Sequence, residues 1–202
     1  MATSNRELSK REITPADILP MAEYTRQRAD LRRAIVAKKK LRRMEVGPAS
    51  TFYFECYETM LQQIQEMLFI EKGGEAQIAD ELEAYNPLIP KGSELVATVM
   101  FEVDDPVRRA RFLARLGGVE NHMFIRFGAE TVRGVPEDDQ ERTNEEGKAS
   151  SVHFVHFPFT AEQVKAFRQA GTQVLIGFDH PEYSHMAVMP EAIRNELAGD
   201  FA

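Results

Sequence analysis

The segment STFYFECYETMLQQIQEMLFIE, residues 50–71, determines how the rest of the chain is arranged. It opens as a strand, because residues 52–54 are bulky aromatic side chains that suit a pleated, half-buried surface. Near Tyr57 the spacing of apolar residues changes from two to about 3.6, which predicts a helix over Tyr57–Glu71. Lys72 and Gly73 end this helix, since a cation and a glycine suit a helix C-terminus.

The predicted helix has one apolar side and one polar side. The apolar side carries Tyr57, Met60, Leu61, Ile64, Met67 and Leu68. The polar side carries Glu58, Gln62, Gln65 and Glu66. Glu71 projects into the middle of the apolar stripe, so we expect a carboxylate held at an apolar interface, and we look there first for a site.

A long helix is predicted upstream, from Pro20 to about Arg43, with a narrow apolar stripe formed by Met21, Tyr24, Leu31 and Ile35. Arg28 lies within that stripe and is the natural partner of a carboxylate: Glu71, Glu66 or Glu55. We also expect the polar side of the helix over Tyr57–Glu71 to pair with this basic helix, and a contact from Glu66 to the basic helix is the first that we would draw. A buried, unpaired charge would be destabilising by about 3–5 kcal/mol, so a pair is expected if both groups are dry. The alternative is that Arg28 extends to water over its apolar stem.

Charge is spread unevenly along the chain of 202 residues, whose formal net charge is −7. Residues 26–43 hold nine Lys or Arg and one Asp, a local +8, which leaves −15 on the remainder. Such asymmetry can mark an anion-binding surface. Its candidate residues are Arg32, Arg33, Lys39, Lys40, Arg42 and Arg43. The alternative is that acidic residues of the same chain, or of a second copy, neutralise the basic helix.

The rest of the chain predicts an α+β fold with a mainly antiparallel sheet. Gly47-Pro48 makes a turn between residues 43–46 and the strand at residues 52–54, which predicts a hairpin. The amphipathic helix follows this hairpin directly. A second helix covers Glu75–Tyr85. Residues 95–127 and 152–178 each read as strand–helix–strand, a weak repeat that suggests a ferredoxin-like split βαβ arrangement. Residues 1–92 and 93–202 would be two regions of one continuous globular domain.

Two polar segments predict less order. Residues 1–12 read as loosely ordered, and residues 133–150, rich in acids, glycine and asparagine, read as a loop. No segment resembles a signal peptide or a membrane span. The single cysteine, Cys56, excludes an intramolecular disulfide and suits a reducing compartment. We therefore expect a cytoplasmic protein with no membrane partner.

A set of motifs spread over the chain is typical of one bacterial family: Phe54-Glu55, Thr59, Gln63-Ile64-Gln65-Glu66-Met67, Glu81-Leu82, Tyr85-Asn86-Pro87-Leu88, Leu95, Ala97-Thr98 and Glu102. By these residues the sequence resembles the family catalogued as domain of unknown function thirty-five-oh-one. The likeness extends across most of the chain, and the Gln-Ile-Gln-Glu-Met block is its most specific part. The resemblance transfers no catalytic residue. It implies at most an association with rubrerythrin-like and iron–sulfur redox systems.

Two groups of residues could carry chemistry. The first is a candidate polar site made of Arg28, Glu55, Gln63, Glu66 and Glu71. Its carboxylates fall on neighbouring turns, but a di-iron bundle also needs Glu-x-x-His pairs, which this chain lacks. The second is Asp179, His180 and His185, three donors that could bind a divalent metal if they converge. The alternative for these histidines is an ordinary structural role.

These observations favour a non-enzymatic binding or accessory protein without a cofactor, which self-associates or binds a protein partner. One alternative is a metal-binding protein or metal-dependent enzyme that uses Glu and His ligands. A second is a nucleic-acid-binding protein that uses the basic helix, which the negative net charge disfavours.

Overall fold

The computed structural model describes residues 10–137, 143–144 and 147–202. The helices of this part are α1 (Met21–Lys39), α2 (Tyr57–Glu71), α3 (Glu75–Tyr85), α4 (Pro106–Leu113), α5 (Ala161–Arg168) and α6 (Glu191–Leu197). The strands are β1 (Arg43–Val46), β2 (Ser50–Phe54), β3 (Glu94–Phe101), β4 (Met123–Phe127), β5 (Glu130–Arg133), β6 (Val135–Pro136), β7 (Val152–Pro158), β8 (Val174–His180) and β9 (Tyr183–Met189). The α+β class, the β1–β2 hairpin and the bounds of α2 and α3 agree with the sequence.

The strands form two antiparallel sheets, ordered β1-β2-β3-β7-β6 and β5-β4-β8-β9. The sheets are joined where β5 runs into β6 through Gly134. A Cβ atom at Gly134 would lie 2.6 Å from Val155 Cγ1, closer than such atoms can approach. The residue at this bend is therefore required to be small, which lets one strand pass from one sheet to the other.

The ferredoxin-like arrangement expected from the repeat is not found. Both strand–helix–strand units exist, but β3 and β7 lie in one sheet, whereas β4 and β8 lie in the other. Each unit therefore crosses between sheets instead of placing both strands in one. Local patterns predict strands and helices but leave open which distant strands pair, and here that pairing decides the architecture.

The space between the sheets holds the larger core, which is rich in phenylalanine and includes Phe52, Phe101, Phe157, Phe167 and Phe178. A second cluster lies under α2 and contains Ile13, Met60, Ile64, Leu68, Leu88, Ile89 and Val96. Strand β3 contributes to both clusters, because successive side chains of a strand point to opposite faces of the sheet. Leu95 and Ala97 face the larger core, while Val96 faces the helices. The helices α1–α3 thus form a layer outside the first sheet, and we call this the helical layer.

The predicted loop at residues 133–150 contains β6, whereas its residues 138–142 and 145–146, like residues 1–9, lie outside the described part. Strand β9 is unexpected, since the sequence around Asp179–His185 reads as a loop. Its middle is exposed, with Met186 and Val188 more than half accessible, so it lacks the alternation of a half-buried strand. Within the described residues, no helix is long and apolar enough to cross a membrane.

Candidate functional site

Helix α1 is fastened to α2 by a polar contact at the centre of the helical layer. Arg28 donates to both carboxylate oxygens of Glu66, from Nε at 2.9 Å and from Nη2 at 2.7 Å. The Tyr24 hydroxyl also donates to Glu66, and Gln62 Nε2 donates to that hydroxyl. The Arg28 guanidinium stacks on Phe69, 4.3 Å from the ring centre. A contact from Glu66 to this helix is the first expected from the sequence, and of the three carboxylates expected as partners of Arg28 it is Glu66 that pairs with it.

The contact shifts the acidity of its members. Hydrogen bonds from Arg28 and then from Tyr24 outweigh partial burial and lower the pKa of Glu66 to about 2. Burial, reinforced by the Glu66 carboxylate, raises the pKa of Tyr24 to about 12. At neutral pH a charged carboxylate therefore faces a charged guanidinium and a neutral phenol. This pattern belongs to a structural clamp, because no member is poised to exchange a proton near pH 7.

Glu55 is buried at the junction between β2 and α2. Its oxygens accept hydrogen bonds from Thr98 Oγ1 at 2.7 Å and from Thr59 Oγ1 at 2.6 Å. Thr59 Oγ1 also accepts from the Cys56 backbone N–H, which otherwise has no partner at the start of the helix. Glu55 thus connects β2, β3 and the first turn of α2, at a distance from the Arg28 contact.

Arg42 is fully buried, and its placement corrects the expectation that it belongs to an exposed anion-binding surface. Its guanidinium donates to the backbone carbonyls of Phe54 and Glu55, at 3.0 and 2.9 Å. It also makes a two-pronged pair with Asp200 and reaches Glu196. Although burial alone would lower the pKa of Arg42, the Asp200 carboxylate raises it. With these donors committed inside the chain, Arg42 stabilises the C-terminal segment and is not free to bind an anion.

Of the other predicted anion-binding residues, two form ion pairs within the chain and three do not among the described residues. Arg33 pairs with Asp30, and Arg43 pairs with Glu45; all four side chains are largely exposed. Three members have no ion partner within 4 Å among the described residues: Arg32, Lys39 and Lys40. Internal neutralisation, the alternative expectation, accounts for Arg28 and for Lys38, which lies 3.0 Å from Glu58.

The expectation for Glu71 is wrong. Glu71 is exposed, and its carboxylate accepts a hydrogen bond from Gln77 Nε2 at 2.7 Å. Helical geometry does place it on the apolar side of α2, but it is the last residue of the helix and lies beyond the packed turn at Leu68. Gln63 is half-buried on α2. The candidate polar site is therefore not one cluster.

The N-terminal segment, residues 11–20, is fixed to the helical layer by side chains that bind its backbone. The Asn86 amide bonds Ile13 twice, accepting from its N–H at 2.8 Å and donating to its C=O at 2.9 Å. Gln65 is buried and accepts from the Leu19 N–H at 2.6 Å. Arg11 donates to the carbonyls of Pro90 and Asp200. Backbone groups that would otherwise be unpaired are thereby satisfied, and the segment becomes a rigid wall.

An apolar groove of about 890 Å³ lies between this wall and helices α2 and α3. We call it the helical groove. Its main apolar residues are Ile18, Leu19, Met21, Leu68, Ile78 and Leu82. Lys72 and Glu75 are its charged residues, and both are exposed. The volume falls in the range of about 300–1,000 Å³ that is usual for ligand sites.

A smaller pocket of about 210 Å³ adjoins Arg42 and is lined by Lys38, Cys56, Glu58 and Asp200 among others. The Cys56 thiol is buried, which raises its pKa to about 11, although Arg42 opposes the effect. At neutral pH the thiol is protonated and a weak nucleophile. The pocket combines mutually paired charges with an unreactive thiol, so it offers no evident chemistry.

The three predicted metal ligands do not share one environment. Asp179 and His180 follow one another on β8, so their side chains point to opposite faces of the sheet. His180 is buried, with Nε2 3.2 Å from the Gly117 carbonyl oxygen. His185 is exposed beside the turn at Gly47.

Asp179 is committed to contacts with Arg133 and His122. It accepts from Arg133, and the His122 Nδ1 atom lies 3.0 Å from its Oδ1. Although burial opposes the effect, these two neighbours lower its pKa. Across residues 10–137, 143–144 and 147–202, no group of three or more His, Cys, Asp or Glu side chains is placed to hold a metal ion.

Several of the residues that build the site were missed by sequence reasoning. Asp200 and Thr98 contact Arg42 and Glu55 across more than forty residues of chain, and no local pattern signals such pairs. Asn86 stands before a proline and reads as part of a turn. The groove was missed because its walls come from three separate segments. The half-exposed Ile78 and Leu82, four residues apart on α3, were its one local signal.

Comparisons with known proteins agree with the expected resemblance. The model of the family described as Protein of unknown function (DUF3501) matches residues 12–201, so the chain belongs to that family. A similar crystal structure, described as a novel protein of unknown function from Burkholderia pseudomallei K96243, is 35% identical to this chain. It has a TM-score of 0.87, with 94% of this chain and 99% of that chain covered. No curated protein matches the chain.

Proposed function

We propose that this protein is a non-enzymatic binding or accessory protein that holds an apolar segment of a protein partner in the helical groove. The observation that carries the proposal is the groove itself, a large apolar site beside fixed walls. Its lining lacks the convergent polar groups by which a site orients a polar substrate. The Arg28–Glu66 and Arg42–Asp200 pairs are committed to structural contacts, which fits a binding role.

The shape of the groove favours a helical segment as its occupant. Helix α3 contributes Glu75, Ile78, Ala79 and Leu82, which are spaced three and four residues apart and form one continuous face. This face is about 10 Å long, two turns of helix. An amphipathic helix presents apolar side chains at the same spacing, and this is a recurrent mode of protein recognition.

The proposal can be tested by fluorescence anisotropy with a labelled amphipathic peptide of about 18 residues composed of Leu, Ala and Lys. The exposed Ala79 borders the groove, so Ala79→Arg would introduce a charge there without removing a core side chain. We expect binding to weaken by about tenfold or more, because the charge would be desolvated. Ala110→Arg, at an exposed position on α4 away from the groove, is the matched control.

Two results would contradict the proposal. One is equal peptide affinity for the Ala79→Arg and Ala110→Arg variants. The other is binding of oleate with no binding of the peptide, which would indicate a lipid site. The expected connection to rubrerythrin-like or iron–sulfur systems concerns the identity of the partner and stays a prediction. So do the alternatives of a divalent metal and of nucleic acid, and the cytoplasmic location.

A further inference from the structure

The face of α1 that points away from α2 carries a row of cations. Arg26, Arg33 and Lys40 are exposed and lie seven residues apart, so they share one side of the helix at intervals of about 10 Å. We call them the cationic stripe. The exposed residues between them include Ala29 and Ala37. Small side chains keep the surface between the cations flat enough for another helix to approach.

Helix α3 carries the opposite charge on its outward face. The helix has four acidic residues and no basic one. Asp80 and Glu83 are exposed, one turn apart, and we call them the acidic stripe. Exposed alanines flank them at Ala76 and Ala84. The two stripes thus match in charge and in the small size of the residues around them.

The charges of the stripes are not consumed by contacts within the chain. Arg28, Lys38 and Arg42, on the inner side of the same basic segment, all have acidic partners. By contrast, four members of the stripes have no ion partner within 4 Å in the part of the chain that the structure describes: Arg26, Lys40, Asp80 and Glu83. Arg33 pairs only with the exposed Asp30.

We propose that two copies of this chain associate through these surfaces, with the cationic stripe of each copy on the acidic stripe of the other. Such a reciprocal contact is the isologous arrangement of a two-fold dimer. A nucleic acid could contact only the cationic stripe, and the net charge of −7 and the acids of α3 would repel it. A second copy satisfies both stripes at once. This inference does not depend on what occupies the helical groove.

A charge-swap experiment tests the dimer, with molar mass measured by sedimentation velocity. The variant R26E/R33E and the variant D80K/E83K each place like charges opposite one another. We expect each to dissociate at concentrations where the unmodified chain is dimeric, with affinity lowered about tenfold or more. The variant that carries all four substitutions restores opposite charges and should dimerise again. R108E/R111E, an equal charge change at exposed positions on α4, should leave the mass unchanged.

The four-substitution variant separates a loss of contact from a loss of folding, since a misfolded chain would not regain the dimer. A monomeric unmodified chain at micromolar concentration and low salt would overturn the proposal. So would a four-substitution variant that stays monomeric. Dissociation by R26E/R33E without any effect of D80K/E83K would place the cationic stripe against a different acidic surface of the second copy, and would also overturn the proposal.

Discussion

Glu66 shows how one carboxylate can hold two helices together. It accepts two hydrogen bonds from Arg28 and one from Tyr24. Three hydrogen bonds from α1 therefore converge on a single residue of α2. Charge-assisted pairs of this two-pronged geometry are stronger and more directional than neutral hydrogen bonds. Glu66 and Gln65 both belong to the Gln-Ile-Gln-Glu-Met block, and both contact the N-terminal part of the chain.

Replacing Glu66 by Gln should lower the free energy of unfolding by about 1–2 kcal/mol at neutral pH, because the charge-assisted bonds weaken. The folded pKa is depressed from the ordinary value of 4.5 to about 2. The stabilisation is therefore complete above pH 4.5 and is lost as the pH falls towards 2. Urea unfolding of both proteins across this range would check it.

Glu71→Gln is the matched control, since Glu71 is exposed and has no basic partner within 4 Å in the described part of the chain. A change below about 0.5 kcal/mol is expected there. If Glu71→Gln proved as destabilising as Glu66→Gln, or if the Glu66 effect persisted unchanged at pH 2, the assignment of the clamp would be wrong.

Arg28 was predicted to pair with a carboxylate because it interrupts an apolar stripe, and Glu66 was predicted to contact the basic helix because it lies on the polar side of α2. Sequence reasoning missed Tyr24 as a donor, since a tyrosine in an apolar stripe reads as a core residue. It misjudged Glu71, because periodicity gives the direction of a side chain but not whether another element covers it. Only the tertiary structure shows that packing ends at Leu68.

At the scale of elements, the groove depends on an N-terminal segment with little regular structure of its own. Its described part contains one short 3₁₀ turn, at Pro15–Asp17, before α1. The side chains of Asn86 and Gln65 bind its backbone, and Ile13 is buried in the cluster under α2. Arg11, within the segment, donates to the Pro90 carbonyl. The wall of the groove is thus stabilised by contacts with residues that lie 46–79 residues away along the sequence.

Removing one of these tethers should loosen the wall without unfolding the sheets. For Asn86→Ala we expect a loss of about 1–3 kcal/mol, because the Ile13 backbone groups lose both partners. Hydrogen exchange at the amides of Ile13 and Leu19 should become faster, and peptide affinity in the groove should fall. Asn195→Ala, at an exposed position on α6, should change neither. Unchanged exchange at Ile13 in Asn86→Ala would show that the tether is not needed.

The bounds of α2 and the start of α3 were predictable from sequence. The spacing of apolar residues changes near Tyr57, where α2 begins, and Lys72 with the two glycines after it separates α2 from α3. Strand β9 was not predictable from sequence. Its apolar residues Met186 and Val188 face solvent, so apolar side chains do not mark the buried face of the strand. The two-residue connection at Pro181–Glu182 was the signal available for a hairpin. Helix ends are encoded locally, whereas a strand at the edge of a sheet depends on its neighbour.

At the scale of the whole molecule, the two joined sheets and the external helical layer differ in what they contribute. The phenylalanine-rich core between the sheets supplies a stable base. The helical layer carries both surfaces that we assign to partners, the groove and the charged stripes. The sequence could not reveal this division, because β3 serves both cores and the strand pairing that separates the sheets is long-range.

The most direct test of the account is a methyl NMR titration of the unmodified protein with the amphipathic peptide, using labelled isoleucine, leucine and methionine methyl groups. The account predicts that chemical-shift changes concentrate at Ile18, Leu19, Met21, Leu68, Ile78 and Leu82. Exposed methyl groups elsewhere, such as those of Ile70 and Met186, should not move. Changes centred on Met186, or an absence of changes in the groove at saturating peptide, would contradict the claim that this groove is the binding site.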